Sequence, residues 1–159
     1  MNNLIYILTF ISILGCGLIA GIFFAFSTFV MQALGRLQPT QGIEAMKNIN
    51  VTVLNPWFLS VFMGTAVLCF ILAVSTYWRW DQPGSFYLLA GCLLYLIGTF
   101  LATVVFNVPM NNALESMVPA SSEASDYWSL YLTKWTFWNH VRTVAAFLGS
   151  ASLIISLLK

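Results

Sequence analysis

Four long stretches of apolar residues constrain the fold of this sequence more than any other feature. A helix that crosses the hydrocarbon core of a bilayer needs about 20 predominantly apolar residues. The stretches do not alternate apolar and polar residues with the two-residue period of a strand, so the sequence predicts helices. The predicted membrane-spanning segments are, in chain order, residues 4–34, 54–78, 85–106 and 135–158.

Composition places the chain among integral membrane proteins. Apolar residues make up 60% of it and charged residues 7%, whereas a soluble domain carries about 25% charged residues. There is no basic run, so nucleic acid is not an expected partner. We predict a single all-α domain over residues 1–159, a polytopic bundle of four transmembrane helices in the lipid bilayer of a bacterial inner membrane. The first span is too long for a signal peptide and is expected to be retained.

The three connections between the spans differ in character. The second is a tight turn at residues 79–84, which contains a strong Pro-Gly turn signal. The two long connections predict short extra-membrane helices, one with Thr40 as its N-cap and one with Pro109 in its first turn. The last helix is expected to begin near Glu123 and to run unbroken, about three turns beyond the bilayer. The aromatic side chains expected to form an interfacial belt on it are Trp128, Tyr131, Trp135 and Trp138.

Small residues recur at four-residue spacing in each predicted span. Such stripes let helix backbones approach closely in membranes, so we expect them to pack the bundle or to serve a homo-oligomer. The three cysteines, Cys16, Cys69 and Cys92, lie midway along apolar runs and are expected to be small buried hydrophobic residues. The stripes comprise Gly17, Gly21 and Ala25; Ser60 and Gly64; Gly91, Tyr95, Gly98 and Ala102; and Ala145 and Gly149.

Polar side chains gather on the membrane face that carries both long connections. The head of the last span holds the only histidine, His140, close to Arg142, and ionisable groups at this depth are a functional-site hypothesis. Asn139 and Arg142 share a helix face, with His140 on an adjoining face. Asn55 and Asn107 are expected at the same membrane level. We therefore predict a polar pocket roofed by aromatic side chains.

Each of these polar residues also has a purely structural interpretation. Arg142 would snorkel to the lipid headgroups, and His140 would satisfy a backbone carbonyl. Asn55 and Asn111 would cap helix ends. The concentration of these groups on one membrane face favours the functional interpretation.

The predicted pocket is suited to acid–base chemistry. The sequence shows no Ser-His-Asp arrangement, phosphate loop or nucleotide fingerprint, and the cysteines lie at the wrong depth for a zinc site. His140 is the candidate general base, with asparagine and arginine side chains stabilising an oxyanion. Such a site suits proton abstraction from an apolar carbon acid or phenol, whose carbanion then reacts with oxygen without a cofactor.

Four motifs carry a family resemblance that extends over essentially the whole chain. They are residues 21–27 (GIFFAFS), 54–56 (LNP), 106–112 (FNVPMNN) and 138–143 (WNHVRT). These motifs resemble the anthrone-oxygenase-like family, small four-span membrane proteins long described as a domain of unknown function. The resemblance implies an oxidoreductase of the monooxygenase type, which oxidises anthrones to anthraquinones without a cofactor.

The resemblance also implies site residues. Asn107, His140 and Arg142 are the catalytic candidates; His140 would act as base, while Arg142 and Asn107 would hold the enolate of an apolar aromatic substrate. The substrate-binding candidates, polar or aromatic side chains at the same membrane face, are Asn139, Trp138, Trp135, Asn111 and Asn55.

Two other functions fit the same residues. A non-enzymatic membrane module would bind a lipid, a quinone or a partner helix through the aromatic-lined pocket. A haem or metal carrier would use His140 as its ligand, although no supporting motif accompanies that histidine. No metal site is predicted from other residues.

Overall fold

The computed structural model describes residues 3–159, which form five helices and no strand. Four of the helices are long and apolar enough to cross a membrane, which confirms the predicted all-α four-helix class. The fifth is a short helix in the first long connection. The helices are α1 (Asn3–Leu34), α2 (Pro39–Thr52), α3 (Pro56–Arg79), α4 (Ser85–Ser116) and α5 (Ser122–Leu158).

The four long helices pack into a bundle whose outer surface is apolar. Large side chains such as Leu18, Phe70 and Phe147 point outward and are more than half exposed. A surface of this kind is stable in lipid, where helices satisfy their own backbone polar groups. The chain is therefore an integral, multi-pass membrane protein. The inward side chains form the membrane core, which comprises Cys16, Ile19, Ala20, Phe23, Phe62, Ala66, Cys69, Leu72, Leu88, Cys92, Tyr95, Ala146 and Leu153.

The long connections fold over the protruding ends of the membrane helices. Helix α5 has 37 residues and is about 55 Å long at 1.5 Å per residue, well beyond the roughly 30 Å hydrocarbon core. Its first turns pack against α2 and against the ends of α1 and α4. The resulting second core includes Ile43, Met46 and Leu114, all fully or almost fully buried. This end of the bundle is thus enclosed by protein.

The predicted aromatic belt on α5 is wrong for three of its four members. Trp128, Tyr131 and Trp135 are buried, because the second core encloses them. Their rings stack in succession along the helix, with centroids 5.6 Å and 5.8 Å apart. The exposed aromatic residues include Trp57 and Tyr77, near the two ends of α3.

Local chemistry explains where the helices begin. The side chain of Asn55 accepts hydrogen bonds from the backbone N–H groups of Trp57 and Phe58, both at 3.1 Å, and so starts α3. Helix α2 begins at Pro39 without a side-chain cap. The predicted N-cap role of Thr40 is therefore wrong, because that residue already lies in the first turn.

Helix α4 is longer than the sequence predicts. The predicted span ends at residue 106 and a separate short helix follows, whereas α4 continues through Pro109 as far as Ser116. Wide π turns precede the proline, at Leu94–Leu101 and Thr103–Asn107. Such turns displace the carbonyl groups with which a proline ring clashes inside a regular α-helix, so the chain passes Pro109 without breaking.

The small-residue stripes have two different environments. A Cβ atom added to Gly91 of α4 would lie 2.8 Å from the side chain of Leu153 and 2.9 Å from the carbonyl oxygen of Gly149, both on α5. This close approach confirms the packing role of the stripes on α4 and α5. A Cβ atom on Gly21 or Gly64 would meet no atom within 4 Å. Those two positions border open grooves on the outside of the bundle.

Candidate functional site

Arg142 of α5 is the only charged residue of the described chain, residues 3–159, that is buried, and it is 3% exposed. Its Nη2 atom donates a hydrogen bond to Oδ1 of Asn139 at 2.6 Å. Its Nη1 atom donates to the hydroxyl of Thr103 at 3.2 Å. The snorkelling interpretation of Arg142 is therefore wrong, because the guanidinium stays among protein groups between the helices.

Asn139 holds the guanidinium in place and is itself fully buried. Its Nδ2 atom donates to the carbonyl oxygen of Phe23 at 2.7 Å and to the hydroxyl of Ser27 at 2.8 Å. The hydroxyl of Thr143 donates to the backbone carbonyl oxygen of Asn139. The same hydroxyl lies 3.1 Å from the hydroxyl of Ser27. With both donors of the amide used on α1, its oxygen is aimed at Arg142.

Within residues 3–159, the positive charge of Arg142 has no acidic partner. Both of its hydrogen-bond acceptors are neutral, and every acidic residue of the chain is exposed. Two rings lie near the guanidinium, with Cζ 4.1 Å from the Phe23 centroid and 5.1 Å from that of Trp135. Cation–π contacts are worth about 0.5–2 kcal/mol each, less than the several kcal/mol that burial of an unpaired charge costs. The site is therefore suited to an electron-rich ligand.

A cavity of about 130 Å³ lies beside the guanidinium and is lined by residues of all five helices. Its wall is largely aromatic and aliphatic, with polar groups contributed by Asn50, Thr103, Asn111 and Arg142. This combination of an apolar wall and a few converging polar groups is typical of small-molecule sites. The apolar residues around it are Ile22, Phe23, Phe26, Met46, Ile49, Val53, Leu54, Phe58, Leu59, Phe62 and Trp135.

Two hydrogen-bond donors that belong to cavity-lining residues have no hydrogen-bond partner. These are Nε of Arg142 and Nδ2 of Asn50, and both atoms are buried. A buried donor left unsatisfied costs about 1–3 kcal/mol, and more when it is charged. The complementary ligand is one that presents acceptor oxygens and an apolar body.

Asn111 is fixed at the edge of the same cavity. Its Oδ1 atom accepts hydrogen bonds from the hydroxyl of Tyr131 and from Nε1 of Trp135, both at 2.7 Å. Trp135 and Asn111, two of the predicted substrate-binding residues, therefore line the same cavity. The alternative role of Asn111 as a helix cap is wrong, because the residue lies inside α4 and bonds to side chains of α5.

Asn107 lies near this cluster but does not line the cavity. It is almost fully buried, and its Nδ2 atom donates to the backbone carbonyl of Trp135 at 3.2 Å. Its Oδ1 atom is buried without a partner. Trp138 also lies outside the cavity wall and stacks on Phe106, with ring centroids 3.5 Å apart. Both residues hold α4 against α5 beside the site.

Asn55 and His140 are not brought to the cavity. Asn55 caps α3, as its structural interpretation predicts. His140 is exposed on the outer surface of α5. His140 precedes Arg142 by two residues, which is a rotation of about 200° around the helix axis. The two side chains therefore point to nearly opposite sides of α5. Its role as a base stays a prediction. Within residues 3–159, no three His, Cys, Asp or Glu side chains are grouped to hold a metal ion.

Several residues of the site are not predicted from the sequence. Ser27 and Thr103 reach the Arg142–Asn139 pair from π turns in α1 and α4, and Asn50 reaches the cavity from α2. Wide turns of this kind often occur at functional sites. The available signal for Ser27 was its place in the first family motif, while Asn50 lies outside every motif.

One comparison with known proteins identifies the family. The sequence model of the anthrone oxygenase family matches residues 57–152, more than half of the chain. The match includes Thr103, Asn111, Asn139 and Arg142, whereas Asn50 precedes it. No curated protein and no solved structure matches the chain. The chain belongs to the anthrone oxygenase family.

Proposed function

We propose that the protein is a cofactor-independent oxygenase that oxidises an apolar, anthrone-like aromatic substrate in the cavity beside Arg142. The observation that carries the proposal is the buried guanidinium of Arg142 beside an aromatic-lined cavity, with neutral hydrogen-bond acceptors and an Nε atom that has no hydrogen-bond partner. A positive donor fixed in a water-poor site stabilises an oxyanion far more than it would in water. Family membership supports the same class of reaction.

The proposed reaction converts an anthrone and dioxygen to an anthraquinone and water. The methylene carbon loses one proton, and the negative charge that remains spreads to the carbonyl oxygen, where Arg142 would hold it. The carbanion forms a carbon–oxygen bond with dioxygen and gives a peroxide. The second C–H proton then passes to the outer peroxide oxygen as the O–O bond breaks, which forms the second carbonyl group and releases hydroxide; the hydroxide takes up the first proton and leaves as water. The carbon loses four electrons, and the two oxygen atoms of dioxygen accept them.

The residues around Arg142 would act by positioning it. Asn139 uses both amide donors on α1 and presents its oxygen to Nη2, which leaves the Nε side of the guanidinium free. Thr103 holds Nη1 from α4. Such preorganised donors cost no reorganisation when charge develops on the substrate. Neither a carboxylate nor an imidazole is among the residues that line the cavity, so the group that accepts the substrate proton would lie outside this lining.

Oxygen uptake with anthrone by the purified protein in nanodiscs tests the proposal. Substitution of Arg142 by Met should lower kcat/KM at least about 10²-fold, the usual effect of removing one oxyanion donor. The folded fraction should persist, because Met removes a buried unpaired charge. Arg36→Met makes the same chemical change at an exposed position and should leave kcat/KM unchanged. An Arg142→Met variant as active as the natural protein contradicts the proposal.

A second candidate function is ligand binding without turnover. The absence of any carboxylate or imidazole on the cavity wall favours it. It predicts saturable binding of an oxygenated aromatic molecule that depends on Arg142, with no oxygen consumed above the rate in solution. The same two variants, measured for binding and for oxygen uptake in parallel, separate binding from catalysis.

A further inference from the structure

Leu54, in the connection between α2 and α3, borders both the cavity and the outside of the bundle. It lines the cavity and is 65% exposed. Among the cavity-lining residues, which all belong to the described range 3–159, it is the only exposed one. We propose that the cavity opens past Leu54 into the membrane lipid, and that Leu54 is a specificity-determining residue in contact with the apolar part of the substrate. This inference rests on the proposed function and deepens it, because it names the route and the class of the substrate.

The large exposed side chains around Leu54 are apolar. Val51, three residues earlier, is 65% exposed, and Trp57, three residues later, is 86% exposed. The amide of Asn55 is used within the chain, because Oδ1 accepts from two N–H groups at the start of α3 and Nδ2 donates to the carbonyl oxygen of Thr52 at 3.0 Å. An exposed tryptophan at the end of a membrane-spanning helix is typical of the boundary between lipid and water. The opening at Leu54 therefore lies at the edge of the membrane core and suits molecules dissolved in lipid.

The size of the cavity brings a larger substrate into contact with Leu54. Its volume of about 130 Å³ is close to that of apolar protein cavities of ~150 Å³ that take up one benzene molecule. Phe23, Phe62 and Trp135 bound it on the inner side and are buried in the bundle. Only one aromatic ring fits inside. The rest of a polycyclic or alkyl-substituted substrate must extend where the wall is exposed, at Leu54.

Equilibrium binding of two probes, measured by calorimetry in nanodiscs, tests the contact with Leu54. 4-Ethylphenol has one ring, whereas anthraquinone, the proposed product, has three and does not turn over. Leu54→Trp should weaken anthraquinone binding at least about fivefold, the usual effect of one overpacked contact, and should leave 4-ethylphenol binding unchanged. Val118→Trp is the matched control and should change neither dissociation constant, because Val118 is 69% exposed in the connection between α4 and α5 and does not line the cavity. Unchanged anthraquinone binding in Leu54→Trp, or an equal loss for both probes, overturns the role of Leu54.

Cysteine labelling in nanodiscs tests the route from lipid. The three native cysteines are fully buried, so the thiol of Leu54→Cys is the accessible one. Relative to free cysteine, it should react faster with benzyl methanethiosulfonate, which is apolar, than with the charged trimethylammonium-ethyl reagent. Anthraquinone at about ten times its dissociation constant should slow this labelling about tenfold by mass action, whereas Val118→Cys should show no protection. Labelling by the charged reagent at an equal or higher relative rate, or labelling that anthraquinone does not slow, overturns the route.

Arg142→Met separates this inference from the proposed function. The variant should bind anthraquinone more weakly, and the same concentration of anthraquinone should no longer protect the thiol of Leu54→Cys. If Arg142→Met binds anthraquinone like the natural protein while Leu54→Trp weakens it, the proposed function fails and the contact with Leu54 stands. If Arg142→Met weakens the binding and Leu54→Trp does not, the opening at Leu54 fails and the proposed function stands.

Discussion

The two ends of the helix bundle use the same helices in opposite ways. At the end with the tight turn, α4 and α5 approach so closely that Gly91 has no room for a side chain. The buried polar residues there are serines and threonines, and their hydroxyls donate to backbone carbonyls. At the end with the long connections, wide turns in α1 and α4 make space for polar side chains. Arg142 and Asn139 are buried there, beneath the cover that α2 provides.

This difference separates stability from function within one small chain. Apolar side chains packed at close range stabilise helix association in a membrane, whereas a buried unpaired guanidinium opposes it. A fold does not need a charge in that position. The protein retains it at the end where a cavity and free donors are also present. Substitutions at the polar end should therefore change activity, and substitutions at the apolar end should change stability.

After Arg142→Met, the largest effect is expected from Asn139→Leu. The change removes the acceptor for Nη2 of Arg142 and both donors to α1. A hydrogen bond to a charged group contributes about 1.5–3 kcal/mol, so kcat/KM for anthrone should fall roughly 10- to 100-fold. Oxygen uptake per folded protein, with folding checked by size-exclusion chromatography, measures this. Full activity in a monodisperse variant would mean that Asn139 does not position the guanidinium.

Gly91→Ala tests the apolar end and should have the next largest effect. The new methyl group would lie 2.8 Å from Leu153 and 2.9 Å from the backbone of Gly149. Overpacking of this kind destabilises by about 1–3 kcal/mol. The apparent melting temperature should fall, while kcat/KM of the folded fraction stays unchanged. Gly21→Ala, at a position with open space, is the matched control and should melt like the natural protein. A loss of activity without a loss of stability would contradict the separation of the two ends.

Tyr131→Phe should have a smaller effect at the polar end. It removes one of the two donors that orient Asn111 at the edge of the cavity. One neutral hydrogen bond is worth about 0.5–1.5 kcal/mol, so kcat/KM for anthrone should fall roughly twofold to tenfold. Tyr77→Phe removes the hydroxyl of an exposed tyrosine and serves as the control. Equal behaviour of the two variants would mean that Asn111 keeps its orientation without Tyr131.

Much of the fold follows from the sequence because membrane spans are long, uncharged and uninterrupted. The predicted all-α fold with four helices long and apolar enough to cross a membrane is confirmed, and so are the helix in the first connection and the unbroken final helix. The continuation of α4 through Pro109 was not predictable, because it depends on π turns, which no residue pattern in the sequence predicts. The burial of Trp128 and Tyr131 was not predictable either. Their aromatic character predicts a lipid interface, whereas the folded connections cover both side chains.

The site is less predictable than the fold, because burial and not residue type decides which polar groups converge. The pairing of Asn139 with Arg142 follows from their three-residue spacing and is confirmed. Asn50 and Ser27 have no such signal, since their approach to the site depends on how α2 and α1 pack. Residue type also makes His140, the only histidine of the sequence, a candidate base. Helix geometry nevertheless directs its side chain away from that of Arg142.

His140→Ala is therefore the variant with the smallest expected effect. A histidine that removes the substrate proton must reach the cavity, and loss of such a base costs at least about 10²-fold. His140 is exposed on the outer surface of α5, so we expect kcat/KM to change less than about threefold, with an unaltered pH profile. Lys134→Ala, another exposed position on α5, is the control. A loss of 10²-fold or more, together with loss of a rate that rises with pH and then levels, would establish His140 as the base. In that case α5 must rotate or the substrate must reach around it, and the cavity beside Arg142 would be only part of the active site.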